Sequence, residues 1–223
     1  LINNMKQKKY YYALIVCLIP AFILATYYPG LSGDFMFDDF SNIVLQPDVA
    51  MQELSWDNIK SAALSMNHRP IALASFGLNH LAAGFNPYYF KAVNLAIHII
   101  NALLLFAVIR LLLNYILGEK AGEGKKSTLI AAAISLAWAL HPVNLTSVLY
   151  IVQRMNSLSA LFVLAGMLSY VKGRISLDAA PLKGWLLLVA SIFIFLPLAW
   201  YSKENGALLP LFLLIVELTI FRF

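Results

Sequence analysis

Residues 88–117 read YYFKAVNLAIHIINALLLFAVIRLLLNYIL. A helix that crosses the hydrocarbon core of a bilayer needs roughly 20 mostly apolar residues. This stretch exceeds that length with two basic residues, Lys91 and Arg110, and no acid. It reads as a transmembrane helix from about Tyr88 to Leu117, and that reading decides the fold class. Within it, Lys91, Asn94, His98 and Asn101 are spaced three, four and three, so they share one helix face. Polar groups at that depth are costly and turn toward the bundle interior or a wet cavity. The expected role of Asn94, His98 and Asn101 is hydrogen bonding between helices. Lys91, near the outer end, is expected to snorkel.

The rest of the chain agrees. Of 223 residues, 61% are hydrophobic and 12% are charged, and the mean hydropathy is +0.76. A soluble domain carries about a quarter of its residues as charges. So little polar surface cannot cover a water-soluble globule, and the chain reads as an integral membrane protein. The net charge of +5 fits basic cytoplasmic loops. No nucleic-acid-binding pattern is present, and no nucleic-acid partner is expected. A single cysteine, Cys17, excludes an internal disulfide. Met5-Lys6-Gln7-Lys8-Lys9 resembles a natural start. The apolar run to Phe223 lacks a closing tail, so the chain reads as the N-terminal part of something longer.

Five further apolar stretches are expected to span, about Tyr10–Tyr28, Leu129–Leu140, Asn156–Val171, Trp185–Tyr201 and Ala207–Phe221. No small-residue cleavage site follows the first, which makes it an anchor rather than a removed signal peptide. With the N-terminus (1–9) in the cytoplasm, eleven basic residues fall inside and five outside. The inner group is Lys6, Lys8, Lys9, Arg110, Lys120, Lys125, Lys126, Lys172, Arg174, Lys183 and Arg222. The outer group is Lys60, Arg69, Lys91, Arg154 and Lys203. Asp34, Asp38, Asp39, Asp48, Glu53, Asp57 and Glu204 all lie outside. The first outer loop, 29–87, is long and structured. Ser55 is positioned to cap a short helix running through Met66, and Arg69-Pro70 to open another. Ile71–Phe85 is apolar but broken by Asn79 and His80, so it is read as interfacial or re-entrant rather than spanning. One membrane domain, 1–223, accounts for the whole chain. The fold class is all-α: a polytopic bundle of about six spans with short interfacial helices in the first outer loop.

The chemistry gathers in that loop. Gly33-Asp34-Phe35-Met36-Phe37-Asp38-Asp39-Phe40 places three carboxylates among aromatics. In extended backbone alternate residues share a face, so Phe35 and Phe37 are expected to bury with Asp39 while Asp38 faces the other way. The two neighbouring acids then serve different environments. One becomes available as a base, since paired acids raise at least one pKa toward neutrality. Four more polar clusters lie at outer helix edges: Asn67-His68-Arg69-Pro70, His141-Pro142-Val143-Asn144, Gln153-Arg154-Met155-Asn156 and Ser202-Lys203-Glu204-Asn205. The four histidines show no metal-binding spacing. Asn144-Leu145-Thr146 is a formal glycosylation sequon, too close to the membrane to carry weight.

Four blocks, in order, resemble a known family: GDFMFDDFSNIVLQPDV, HRPIALASFGLNHLAAGFNPYYFKAVNLAIHIINALLLF, ALHPVNLTSVLYIVQRMNSLSALF and YSKENGALLPLFLLIVEL. Over about residues 29–220 they look like the membrane domain of the transmembrane and tetratricopeptide-repeat proteins. These are GT-C-type glycosyltransferases related to the protein O-mannosyltransferases. No tetratricopeptide repeats are present in this sequence. The resemblance implies a GT-C-type bundle and an enzyme that moves a sugar from a polyprenyl-phosphate donor to a hydroxyl acceptor, a protein Ser/Thr or a glycan. The transfer would take place at the outer or lumenal face, in a bacterial plasma membrane or a eukaryotic endoplasmic reticulum. It makes Asp38 the catalytic base and gives Asp39 the task of holding the acceptor or a metal. Members of that superfamily differ in their use of a divalent metal. A leaving lipid phosphate gains charge, which makes the outer cations Arg69, Arg154 and Lys203 candidate phosphate binders. Glu204 and His141 join them as candidate substrate-binding residues. A transporter of lipid-linked sugars and a structural subunit of an envelope assembly are the alternatives. The first predicts repeated halves, which are not seen; the second has no use for an acidic pair beside outer cations.

Overall fold

The computed structural model describes residues 2–66, 68–118 and 124–222. Asn67 and Lys120 fall outside this set, as do the side chains of Lys6, Lys8 and Lys9. Among the described residues every regular element is helical. Helix α1, Ile2–Tyr27, continues through a 3₁₀ turn to Ser32. Two helices then form in the long loop. The first, α2 (Trp56–Leu64), starts where Ser55 Oγ accepts from Asn58 N at 3.2 Å, so the expected cap is present. The second, α3 (Pro70–Ala83), begins at the expected proline. At 14 residues it is about 21 Å long, short of the roughly 30 Å hydrocarbon core.

The bundle follows. Helix α4, Pro87–Leu117, is the long apolar stretch, and α5 covers Lys125–Ala139. A turn at Pro142–Asn144 and the short α6, Leu145–Leu149, lead to α7, Arg154–Ser176. Helices α8 (Pro181–Ala190) and α9 (Leu196–Ser202) are joined by a wide π turn at Ser191–Phe195. Pro197 lies just beyond it. A proline ring clashes with the carbonyl four residues back, and a local π turn is one way a helix absorbs this. Helix α10, Leu209–Val216, ends the bundle. Among the described residues five segments are long and apolar enough to span: Tyr10–Ser32, Pro87–Leu117, Ile151–Ser176, Pro181–Ser202 and Glu204–Phe221. The sixth expected span is broken: Lys125–Ala139 and Pro142–Leu149 meet at 54°. His141-Pro142 makes the break, because the residue before a proline is pushed out of helical conformation.

The apolar core is in two parts. One joins α1, α4 and α5 through Ile19, Ile23, Leu95, Ala102, Phe106 and Ala131. The other lies at the end bearing the long loop, where Ile43, Val49, Leu73, Phe76, Phe90, Ile151 and Met155 pack together. Each fully buried aliphatic or aromatic side chain in this second part contributes roughly 1.5–3 kcal/mol where water is the alternative. It fixes the loop onto α3, α4 and the start of α7.

The polar stripe on α4 acts between helices. Asn94 Nδ2 donates to Ile151 O (3.2 Å) and Asn101 Nδ2 to Ser157 O (2.9 Å), while His98 Nε2 meets Ala139 O at 2.9 Å. Lys91 departs from expectation. It is 2% exposed, and its ammonium reaches under the acidic loop, 2.7 Å from where a β-carbon on Gly33 would lie.

Candidate functional site: an acidic loop on a polar hub

The chain does not run extended through Asp34–Phe40. It turns at Phe37, whose φ of 44° is left-handed. The turn is closed by Asp39 N to Met36 O (2.9 Å) and Phe40 N to Phe37 O (3.2 Å). Phe37 therefore points outward, against expectation, while Phe35 packs on Phe90 and Phe85 as expected. A bulky residue at positive φ is a genuine outlier and carries strain. Three such non-glycine residues occur among those described, and two of them, Phe37 and Arg69, belong to the candidate site.

The two neighbouring acids part company. Asp39 is fully buried. Its Oδ2 accepts from Met36 N (3.0 Å) and its Oδ1 from Val152 N (2.7 Å). One carboxylate thus closes its own turn and ties the loop to the segment before α7. Burial raises the Asp39 pKa above the usual carboxylate value; the backbone N–H groups and Lys91 oppose this without cancelling it. Asp38 is exposed. Its backbone N–H donates to Tyr150 Oη at 3.0 Å, and its carbonyl accepts from Asn42 Nδ2 at 2.8 Å. The backbone is held on both sides, and the residue stays exposed beside the Tyr150 hydroxyl.

Segment 150–155 is the hub. Tyr150 and Val152 hold the acidic loop, and Ile151 O accepts from α4. Arg154 turns inward and is fully buried. Its Nε donates to Asn94 Oδ1 (2.7 Å), Nη1 to Ser75 O (3.1 Å), and Nη2 to Asn79 Oδ1 (2.7 Å) and Phe90 O (2.8 Å). Its guanidinium also lies over the Phe76 and Phe90 rings, 4.6 and 5.4 Å from their centroids. Expected as an outer cation for a phosphate, Arg154 is instead a buried clamp across α3, α4 and α7. Four of its five N–H groups are already used, and none of its surface is open.

Arg69 and Glu204 meet at the same end. Arg69 Nε and Nη2 both reach the Glu204 carboxylate, at 3.0 Å each to the nearer oxygen, and Nη1 reaches Met155 Sδ at 3.3 Å. Both side chains keep exposed surface. Lys203 is half-buried beside them; burial and then the like charge of Arg69 lower its pKa. His141 is exposed, and its Nδ1 accepts from Val143 N (3.2 Å), capping the Pro142–Asn144 turn. Asn144 donates to Trp138 O at 2.6 Å and is nearly buried, which withdraws the sequon amide.

Hydrogen bonds thus bring Asp38, Asp39, Tyr150 and segment 150–155 together, with Arg69 and Glu204 joined to that segment through Met155. Tyr150 was missed in the sequence, and Lys91 was expected to snorkel rather than to lie buried under the acidic loop. Tyr150 stood just before the polar cluster at 153–156, but nothing local said that its hydroxyl would face residue 38. Among the described residues no three His, Cys, Asp or Glu side chains come together as a cation site. Both Asp39 oxygens already accept backbone N–H groups.

An all-helical integral membrane bundle with an acid-bearing loop locked onto one end defines the class. Proteins named protein O-mannosyl-transferase match it. TMTC3 of Mus musculus is 28% identical over 200 residues, covering 86% of this chain and 20% of its own length. TMTC1 of Homo sapiens is 31% identical over 193 residues, 79% of this chain and 20% of its own. TMTC4 of Mus musculus is 33% identical over 151 residues, 62% and 20%. The chain is a homologue of these TMTC proteins over most of its length, as the four sequence blocks suggested. It spans about a fifth of the length of these relatives. No family model matches the chain, and no solved structure matches it.

Proposed function

We propose that this chain forms the membrane catalytic part of a GT-C-type glycosyltransferase. It moves a mannose from a polyprenyl-phosphate donor to a protein Ser or Thr hydroxyl on the non-cytoplasmic side. The observation that carries the reading is the division of labour in the acidic pair: Asp39 is buried and anchors the loop, leaving Asp38 exposed on a fixed backbone. The names of the homologues supply the reaction class and the sugar.

The acceptor oxygen attacks the anomeric carbon of the donor sugar as the bond from that carbon to the phosphate oxygen breaks. The bonding pair leaves with the lipid phosphate, and the hydroxyl proton passes to the Asp38 carboxylate. Attack opposite the leaving group inverts the anomeric centre. A carboxylate within hydrogen-bond reach of the hydroxyl contributes about 10²–10⁴-fold to such a step. Arg69 and Lys203 are cations near this end with exposed or half-buried side chains, and we assign them to the developing phosphate charge.

The test is reconstitution. The intact protein in liposomes, given a polyprenyl-phosphate mannose and a Ser/Thr-containing peptide, should add one hexose to the peptide by mass spectrometry. Transfer from a nucleotide sugar, or no transfer from the lipid donor, would overturn the reading.

A further inference from the structure

The Arg69 guanidinium has an open face but is not free. Two of its nitrogens are turned onto Glu204, and it sits in a left-handed backbone conformation, φ 74°, that a non-glycine residue adopts only when its surroundings compel it. A carboxylate held edge-on to a guanidinium is the geometry by which arginine also takes two oxygens of a phosphate. The pair stands at a cavity of about 220 Å³, lined by Met66, His68, Arg69, Trp200, Tyr201 and Glu204 among others. A second cavity, about 360 Å³, is lined by Leu196, Pro197 and again Trp200 and Tyr201. The two share the α9 aromatic walls. Charge therefore collects at the end of the bundle, and apolar surface runs from it along α9 into the membrane-spanning segment. That is the profile of a ligand with an anionic head and a long apolar chain.

We infer that Glu204 is an internal stand-in for the phosphate of a lipid phosphate. It holds Arg69 in a closed pair that the ligand must displace, with the lipid chain lying along Trp200 and Tyr201. This rests on the donor class proposed above. Glu204 is then a residue that sets affinity by competition rather than one that touches the sugar. A latch of this kind lowers apparent affinity by the fraction of time it is closed. A partly exposed ion pair is weak enough for that factor to be about two- to fivefold, so the latch opens readily when the ligand arrives.

The experiment is a binding titration of the intact protein with a sugar-free polyprenyl phosphate. It is run on the wild type, Glu204→Gln, Arg69→Gln and the double variant, with inorganic phosphate as a parallel probe. Glu204→Gln should tighten lipid-phosphate binding about two- to fivefold, and Arg69→Gln should weaken it about tenfold or more. In the Arg69→Gln background, adding Glu204→Gln should change little. The same tightening in both backgrounds would mean that Glu204 acts only as a repelling charge, and would overturn the latch. Inorganic phosphate binding as tightly as the lipid would overturn the role of the α9 wall. Because no sugar is transferred, the result is separate from the activity: a tightened Glu204→Gln beside an inactive wild type would refute the proposed reaction and leave the latch standing.

Discussion

Asp38 and Asp39 are adjacent in the chain and opposite in surroundings, and the difference can be measured. Replacing Asp39 with Ala leaves the N–H groups of Met36 and Val152 without their acceptor. An unpaired buried donor costs about 1–3 kcal/mol, so Asp39→Ala should lower the thermal unfolding temperature. It should also loosen the loop, read as faster hydrogen exchange at residues 35–40. The pH dependence has a definite sign. Burial raises the folded-state pKa of Asp39 above its unfolded value, so its contribution to stability is fully present below about pH 4 and is lost as pH rises through the raised value. The wild type should gain on Asp39→Asn as pH falls from 7 toward about 4. A stability difference that stays flat with pH would contradict the buried, pKa-raised carboxylate. The special character of the acidic pair was legible in the sequence, because neighbouring carboxylates among aromatics need a reason. Asp39 is the acid that buries, as alternation along an extended backbone suggested, but the backbone is not extended there and the same alternation wrongly buried Phe37. The left-handed turn at Phe37 was not legible, because it depends on Asp39 reaching back to Met36 and across to Val152.

Arg154 shows how an element is held by one residue. Its four acceptors come from α3 and α4, 60 to 79 positions away in the chain. No local pattern around residue 154 could announce them, and an arginine at a helix start near a membrane edge reads as exposed. Removing it strands the amide oxygens of Asn79 and Asn94 in the interior. Breaking a buried charged network of this kind costs about 3–5 kcal/mol. Arg154→Ala should therefore give protein that unfolds or aggregates in detergent. Arg154→Lys should not rescue it, since an ammonium cannot span the same fork of acceptors. Well-folded Arg154→Ala protein that had lost only lipid-phosphate binding would contradict the clamp. Gly206 plays a comparable part for the 203–208 turn. A β-carbon there would lie 2.3 Å from the carbonyl carbon of Ala199, so the turn folds directly onto α9 and carries Glu204 toward Arg69. Gly206→Ala should cost about 1–3 kcal/mol through overpacking, measured as a lower unfolding temperature. The spanning helices were readable because each is a long apolar run. The break at His141-Pro142 was less so: the third span was expected to be short, but its continuation at 54° depends on how α6 packs.

At the scale of the whole molecule, the bundle has two unlike ends. One carries the acidic loop, segment 150–155 and the Arg69–Glu204 pair. The other is closed by Arg110, whose Nε donates to Thr128 Oγ1 at 2.9 Å, and by Arg174 and Tyr170 on Glu217. On our reading of the Lys and Arg distribution, the first end is expected to face outside. In a Cys17→Ser background, cysteine at Ser32 should react with a membrane-impermeant thiol reagent in intact cells, and cysteine at Asp178 should react only after permeabilisation. The reverse would turn the bundle over. The most direct measurement is of transfer and donor binding together, on the intact wild-type protein and on Asp38→Asn. Asn keeps the shape and the hydrogen-bonding reach of Asp but cannot take the acceptor proton. Transfer should fall about 10²–10⁴-fold with the affinity for polyprenyl-phosphate mannose and the unfolding temperature nearly unchanged. Asp38→Asn protein that transfers mannose at the wild-type rate would contradict the account.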